Sequence, residues 1–179
     1  MYKLEIPERE GLNLKTNEFI NVKACTLHLE HSLLTISKWE SKWHKPFLSG
    51  ETHSEEESLS YFKCMCLDKD VDPNVWYLLT PLEKSGILRY IDDPMSGTTF
   101  RKEPDAEGND EIMSSELMYY YMAQNQIPFS CEKWHLNRLL TLLRICGIKN
   151  KVNDKPKSSQ SQLLNKYASM HAARKKAKK

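Results

Sequence analysis

Apolar and polar positions alternate from the start of the chain. Tyr2, Leu4 and Ile6 interleave with Lys3 and Glu5, and Pro7 closes the run; this is the period-two signature of a half-buried strand. A polar turn follows. Glu18 to Leu29 then carries Phe19, Ile20, Val22, Cys25, Leu27 and Leu29 near the same period. The two segments predict a β-hairpin or small sheet, with Thr26 to Leu29 assigned to its last strand rather than to the next helix.

From Ser32 the period lengthens. Leu33, Leu34, Ile36, Trp39, Lys42 and Trp43 recur at three and four, which predicts a helix over Ser32 to Trp43. It stops before Pro46, because the residue preceding a proline is pushed out of the α region. Ser54-Glu55-Glu56-Glu57 is a capping-box sequence ahead of Leu59, Phe62, Cys64, Met65 and Cys66, so a second helix runs to about Leu67. Asp72-Pro73 opens a short helix through Tyr77 and Leu79. Thr80-Pro81-Leu82-Glu83 combines cap, proline and returning glutamate, and starts a helix that ends at Asp92-Asp93-Pro94.

Ser96 to Asp110, with Gly97, Pro104 and Gly108, predicts an exposed loop with a short strand at Thr98 to Phe100. Ser114 or Ser115 caps a helix through Gln124. Ser130 caps another from Cys131 to Cys146, with Leu136, Leu139, Leu140 and Leu143 on its apolar face and Gly147 as C-cap. The short turn at Asn125 to Pro128 predicts an antiparallel helical hairpin. The fold class expected is therefore mainly α with a small N-terminal β element. The body covers residues 1–148, and a flexible basic tail covers 149–179. In that tail, Lys151 to Ser161 reads as a linker. Leu163, Leu164, Tyr167, Met170 and His171 then form an apolar stripe on a helix too short to be stable alone.

Composition sharpens this picture in one respect. At 179 residues, 40% hydrophobic and 28% charged, the chain has ordinary globular values. No apolar run approaches the roughly 18 residues that span a bilayer. The polar N-terminus predicts no secretory signal, and five scattered cysteines fit reduced thiols in a cytosol. The net charge of +2 conceals an asymmetry: residues 149–179 hold ten bases and one acid, whereas residues 1–148 hold 16 bases and 23 acids. An acidic body carries a basic tail, and such a split points to a binding partner.

The chemistry-bearing residues argue against an enzyme. Cys64 and Cys66 on a helix place their sulfurs about 200° apart, and neither they nor His28 and His31 belong to a set with zinc-ligand spacing. Cys131 and His135 lie one helical turn apart, with no orienting group or oxyanion hole supplied by the pattern. Glycine-rich phosphate loops, nucleophile elbows and metalloprotease motifs are absent from the sequence. No cofactor or metal is expected.

The residues left with something to do are aromatic and basic. Trp39 and Trp43, four apart, share one helical face and read either as core or as an aromatic ledge for a partner. Tyr119, Tyr120 and Tyr121 span about 200° of helix, so at least one reaches the surface. Trp134 and Arg138 are further candidates, with Arg138 and Arg144 expected to pair with the body's acids. In the tail, Leu163 and Tyr167 provide apolar anchors, and Arg174, Lys175, Lys176, Lys178 and Lys179 provide charge. The anchors favour contact with protein over binding of nucleic acid, which a terminal lysine run alone does not decide.

The run Trp39-Glu40-Ser41-Lys42-Trp43-His44-Lys45-Pro46-Phe47-Leu48 resembles a family of small tailed-bacteriophage proteins encoded among the tail genes. So do Asp72-Pro73-Asn74-Val75, Ile91-Asp92-Asp93-Pro94-Met95, and Ile127-Pro128-Phe129 with Lys133-Trp134-His135-Leu136-Asn137-Arg138-Leu139-Leu140. The likeness covers about Tyr2 to Asn150 and the basic C-terminal end. It implies a tail assembly chaperone that contacts the tape-measure and tail-tube proteins in the host bacterial cytoplasm, with self-association also open. Chaperones of this kind are commonly made in two lengths by frameshifting. Arg174 to Lys179 suits adenine-rich slippery codons, so a longer form is expected. Two other classes stay open on the residues: a small virion structural or connector protein, and a nucleic-acid-binding regulator using the basic tail.

Overall fold

The computed structural model describes residues 1–13, 17–100 and 112–153. Two compact units divide the chain, Met1–Leu143 and Arg144–Lys179. The first is mainly helical with a small β region at its front, as the periodicity predicts. The expected linker begins at 151, but residues 151–153 are helical; the rest of it, the tail helix and the terminal basic run fall outside the described residues from 154 onward.

Strand β1 (Tyr2–Ile6) pairs antiparallel with β4 (Cys25–Leu29), while β2 (Arg9–Asn13) pairs with β3 (Glu18–Val22). Two findings differ from the sequence reading. The stretch from Glu18 to Leu29 is two strands broken at Lys23 and Ala24, and the polar turn before it contains β2. Arg9-Glu10-Gly11 has no apolar alternation to betray a strand. Tertiary anchors hold it instead: the Arg9 guanidinium donates to both Glu83 carboxylate oxygens and to the Leu78 carbonyl. A Cβ on Gly11 would lie 2.4 Å from Leu78 Cδ2, so a side chain here would force the Leu78 side chain to move.

On the first sheet, Leu4, Ile6, Leu27 and Leu29 turn inward and are buried. The free edge of β4 is taken up by the chain leaving the second helix. Glu30 N–H donates to the Met65 carbonyl, and Leu67 N–H to that of His28, both at 2.9 Å. Helix α1 (Leu33–Trp43) is capped by Ser32 and ends at His44, whose φ of 54° is the left-handed conformation that stops a helix. Leu33, Ile36 and Trp39 give its buried stripe.

Helix α2 (Glu55–Met65) carries the expected capping box of Ser54 and Glu57. The Trp39 indole N–H donates to the Glu57 carbonyl at 3.0 Å and ties α1 to the start of α2. A 3-10 helix, Pro73–Tyr77, follows, shorter than the helix through Leu79 that the spacing predicts. Helix α3 (Pro81–Asp92) has its own capping box of Thr80 and Glu83. Residues 98–100 are not a strand.

Helix α4 (Ser115–Gln124) is capped by Ser114. Its N-terminus is also held from across the core: the buried Glu40 carboxylate accepts from Ser115 N–H and from Phe47 N–H, each at 2.8 Å. A second 3-10 helix, Phe129–Lys133, occupies the place where a longer α-helix is expected. Helix α5 begins only at Leu136 and runs to Asn153, through Gly147 and past Lys151. Gly147 does not take the positive φ of a C-cap, and a mid-helix glycine costs only about 1 kcal/mol relative to alanine. The predicted hairpin is thus interrupted by a 3-10 element rather than joined by a four-residue turn.

The late start of α5 has a physical cause. Leu136 N–H donates to the His31 carbonyl at 2.8 Å, and the His135 ring accepts from Asn137 N–H through Nδ1. His135 Nε2 donates to the Tyr90 carbonyl at 3.0 Å. The Asn137 amide donates to the Ile91 and Asp93 carbonyls. Asn137 therefore satisfies the Ile91 and Asp93 carbonyls at the end of α3, and His135 adds a second donor to the Tyr90 carbonyl, which also accepts from Asp93 N–H. The run Trp134 to Asn137 is a clamp between α3 and α5.

Candidate protein-binding site

The rotation of α4 follows from its two methionines. Met118 and Met122, one turn apart, have no exposed surface, and α4 packs on α1 and on the second 3-10 helix. With that stripe inward, Tyr120 is 58% exposed and Tyr119 and Tyr121 flank it half-buried. The Tyr120 and Tyr121 rings meet edge to face at 5.6 Å.

Tyr119 joins this helix to its neighbour. Its hydroxyl donates to Glu132 at 2.8 Å, and its ring meets that of Phe129 edge-on at 6.0 Å. Burial, reinforced by the hydrogen bond to the Glu132 carboxylate, raises the Tyr119 phenol above its ordinary range, so it stays a neutral donor. Phe129 is 55% exposed. Trp134, directly after the 3-10 helix, is half-buried, and the exposed Arg138 guanidinium lies over its ring at 4.5 Å. Arg138 is thus stacked on an aromatic face, and among the described residues it has no salt bridge of the kind its sequence context suggests. A stacked guanidinium keeps its five donors available at the ring's edge.

The other expected residues separate. Trp39 has no exposed surface and is a core residue, so it presents nothing to a partner. Trp43 is half-buried at the rim, its indole N–H donating to Ser60 Oγ at 3.1 Å. The two rings do share a face, with centroids 6.1 Å apart, but they form core and edge rather than a ledge. Leu163, Tyr167, Arg174, Lys175, Lys176, Lys178 and Lys179 lie outside the described residues. Phe129 and Glu132 were missed by periodicity, because a 3-10 element carries no α period; the signal was an aromatic directly after Ile127-Pro128.

The pair Cys131 and His135 makes a different arrangement from a nucleophile and its base. Cys131 is buried, and both ring nitrogens of His135 are engaged by backbone groups. His31, 2% exposed, shares its Nδ1 with the Tyr61 hydroxyl and sits edge-on to His135 at 5.1 Å. The Asp68 carboxylate accepts from the His28 backbone N–H at 2.6 Å and pairs with its ring at 2.9 Å. Among the described residues, no group of three or more His, Cys, Asp or Glu side chains is placed to hold a metal ion. Among the same residues, no helix is long and apolar enough to cross a membrane.

What the α4 face can do chemically is bind: aromatic surface for apolar contact, a fixed guanidinium for carboxylates or carbonyls. No protein-family model, curated protein or solved structure matches the chain.

Proposed function

We propose that the chain is a non-enzymatic assembly factor, a tail assembly chaperone of a tailed bacteriophage. It works in the host bacterial cytoplasm through contacts with the tape-measure and tail-tube proteins. The observations that carry this reading are aromatic side chains left at the surface: Tyr120 on α4, Phe129 beside Tyr119, and the half-buried Trp134 under the Arg138 guanidinium. Trp, Tyr and Arg are the residue types that dominate binding energy at protein interfaces. Tyr120 and Phe129 are each more than half exposed, which leaves aromatic surface for a partner. The likeness of the Trp39 to Leu48 and Lys133 to Leu140 runs to phage tail-region proteins selects the partners.

The test is co-expression of the chain with the tape-measure and tail-tube proteins encoded beside it, followed by fractionation of finished particles. A soluble complex with tape-measure protein, and absence of the chain from purified virions, is the expected outcome. Stoichiometric presence in virions would instead assign it to the particle.

A further inference from the structure

A second surface is built from other residues than the α4 face. Between β2, α2 and the first 3-10 helix runs a groove of about 450 Å³, within the size range of ligand-binding clefts. Leu12, Leu59, Trp76 and Tyr77 give it apolar walls. Leu12 and Tyr77 are 40% and 42% exposed. The apolar surface does not stop at the groove. Leu12 is directly opposite Phe19 in the β2–β3 register, and Phe19 is 87% exposed. Paired side chains of this kind share one sheet face with Cβ atoms about 5 Å apart. The result is an elongated track rather than a closed pocket, longer than a small metabolite needs.

The charges beside it are unequal in their commitments. Lys84 is paired with Glu55 at 2.9 Å. Lys42 has only the Ser60 hydroxyl, at 3.0 Å, and the Trp43 ring. Lys63 lies over the Tyr77 ring at 5.0 Å. Among the described residues neither of these two ammonium groups has a carboxylate at ion-pair distance. Glu56 also lines the groove, so three lysines face two glutamates and the lining keeps a net positive charge; on a body whose overall charge is negative, that local excess attracts anions from outside.

The geometry points to this groove as the docking site of an acidic amphipathic helix from a partner protein. Its apolar stripe at three and four spacing packs on Leu59, Trp76, Tyr77 and Leu12, and its Asp or Glu side chains meet Lys42 and Lys63. The site shares no residue with the α4 face, and it stands whether or not the partner there is a tail protein.

The experiment is a selection of short random displayed peptides on the full chain, with the enriched peptides then titrated by fluorescence anisotropy. Enriched sequences are expected to combine Leu, Phe or Trp at helical spacing with Asp and Glu. Tyr77→Ala should weaken them by about tenfold or more. The double substitution Lys42→Glu with Lys63→Glu should do the same, and selection on that variant should favour Lys and Arg instead. Tyr77 is part-exposed and both lysines are exposed, so thermal melts of the variants serve as the fold control; if Tyr77→Ala melts early, the charge reversal decides alone. Absence of any enrichment overturns the proposal. So do peptides without acidic bias, binding indifferent to the charge reversal, or occupation of the track by a second copy of the chain in sedimentation.

Discussion

Replacing His31 tests the buried polar core at its most sensitive point. His31 lies where β4 passes into α1, and it faces the Tyr61 hydroxyl and the ring of His135. Burial, and secondarily the neighbouring His135, lowers its pKa from 6.5 to about 3. Tyr61 is raised well above its ordinary value, burial again being the main cause, so it remains neutral throughout. An unfolded chain takes up a proton on this residue near pH 6.5, whereas the native protein resists until about pH 3. Between those values the unfolded state binds more protons, so stability is complete above pH 6.5 and declines as the pH falls.

The slope is about 1.4 kcal/mol per pH unit, or roughly 2.7 kcal/mol lost by about pH 4.5. Set against the usual 5–15 kcal/mol for a domain, that is a large share. The assay is urea denaturation followed by tryptophan fluorescence, for wild type and His31→Gln, from about pH 7 down to about pH 4.5. Glutamine does not titrate, so whatever its effect at neutral pH, its stability should fall less steeply by about 2.7 kcal/mol over the interval. Parallel curves would refute the reasoning and mean that His31 takes its proton in the native state at little cost.

Other consequences follow from the packing. Trp39→Ala should cost about 3–5 kcal/mol and Trp43→Ala about 1–2 kcal/mol, measured by chemical denaturation, because only the first empties a closed core site. Glu40→Gln should cost about 1.5–3 kcal/mol by removing the charged acceptor of the Phe47 and Ser115 amides. Its hydrogen exchange should rise first at the start of α4. Asn137→Ala should cost about 1–2 kcal/mol and fray the end of α3, seen as faster amide exchange near Asp92.

The two capping boxes were legible in the sequence, whereas the caps expected at Ser130 and Gly147 do not form. Ser54 with Glu57 and Thr80 with Glu83 act within four residues, so neighbours along the chain suffice to specify them. Strand β2 was not legible, because its stability comes from Arg9 reaching Glu83, 74 residues away. The 3-10 segment before α5 was hidden for the same reason: Cys131 to His135 continue the helical pattern in sequence, but His135 is committed to the Tyr90 carbonyl.

At the candidate site, the type of residue was readable and the exposure was not. Trp39 and Trp43 do lie on one helical face, yet which of them meets solvent depends on α2 and on Phe47, whose ring meets Trp39 edge-on at 5.1 Å. Tyr120 emerges because Met118 and Met122 take the interior. Arg138 lies over the Trp134 ring. Side-chain chemistry was available from the sequence; the competition for each side chain required the fold.

The central claim is that the α4 face binds a partner protein. Calorimetric titration of tape-measure protein into the wild-type chain and into the Tyr120→Ala, Trp134→Ala double variant tests it directly. The account predicts a loss of at least about 2 kcal/mol, or roughly thirtyfold in Kd, with the variant still folding cooperatively. Equal affinity of the two proteins would contradict it.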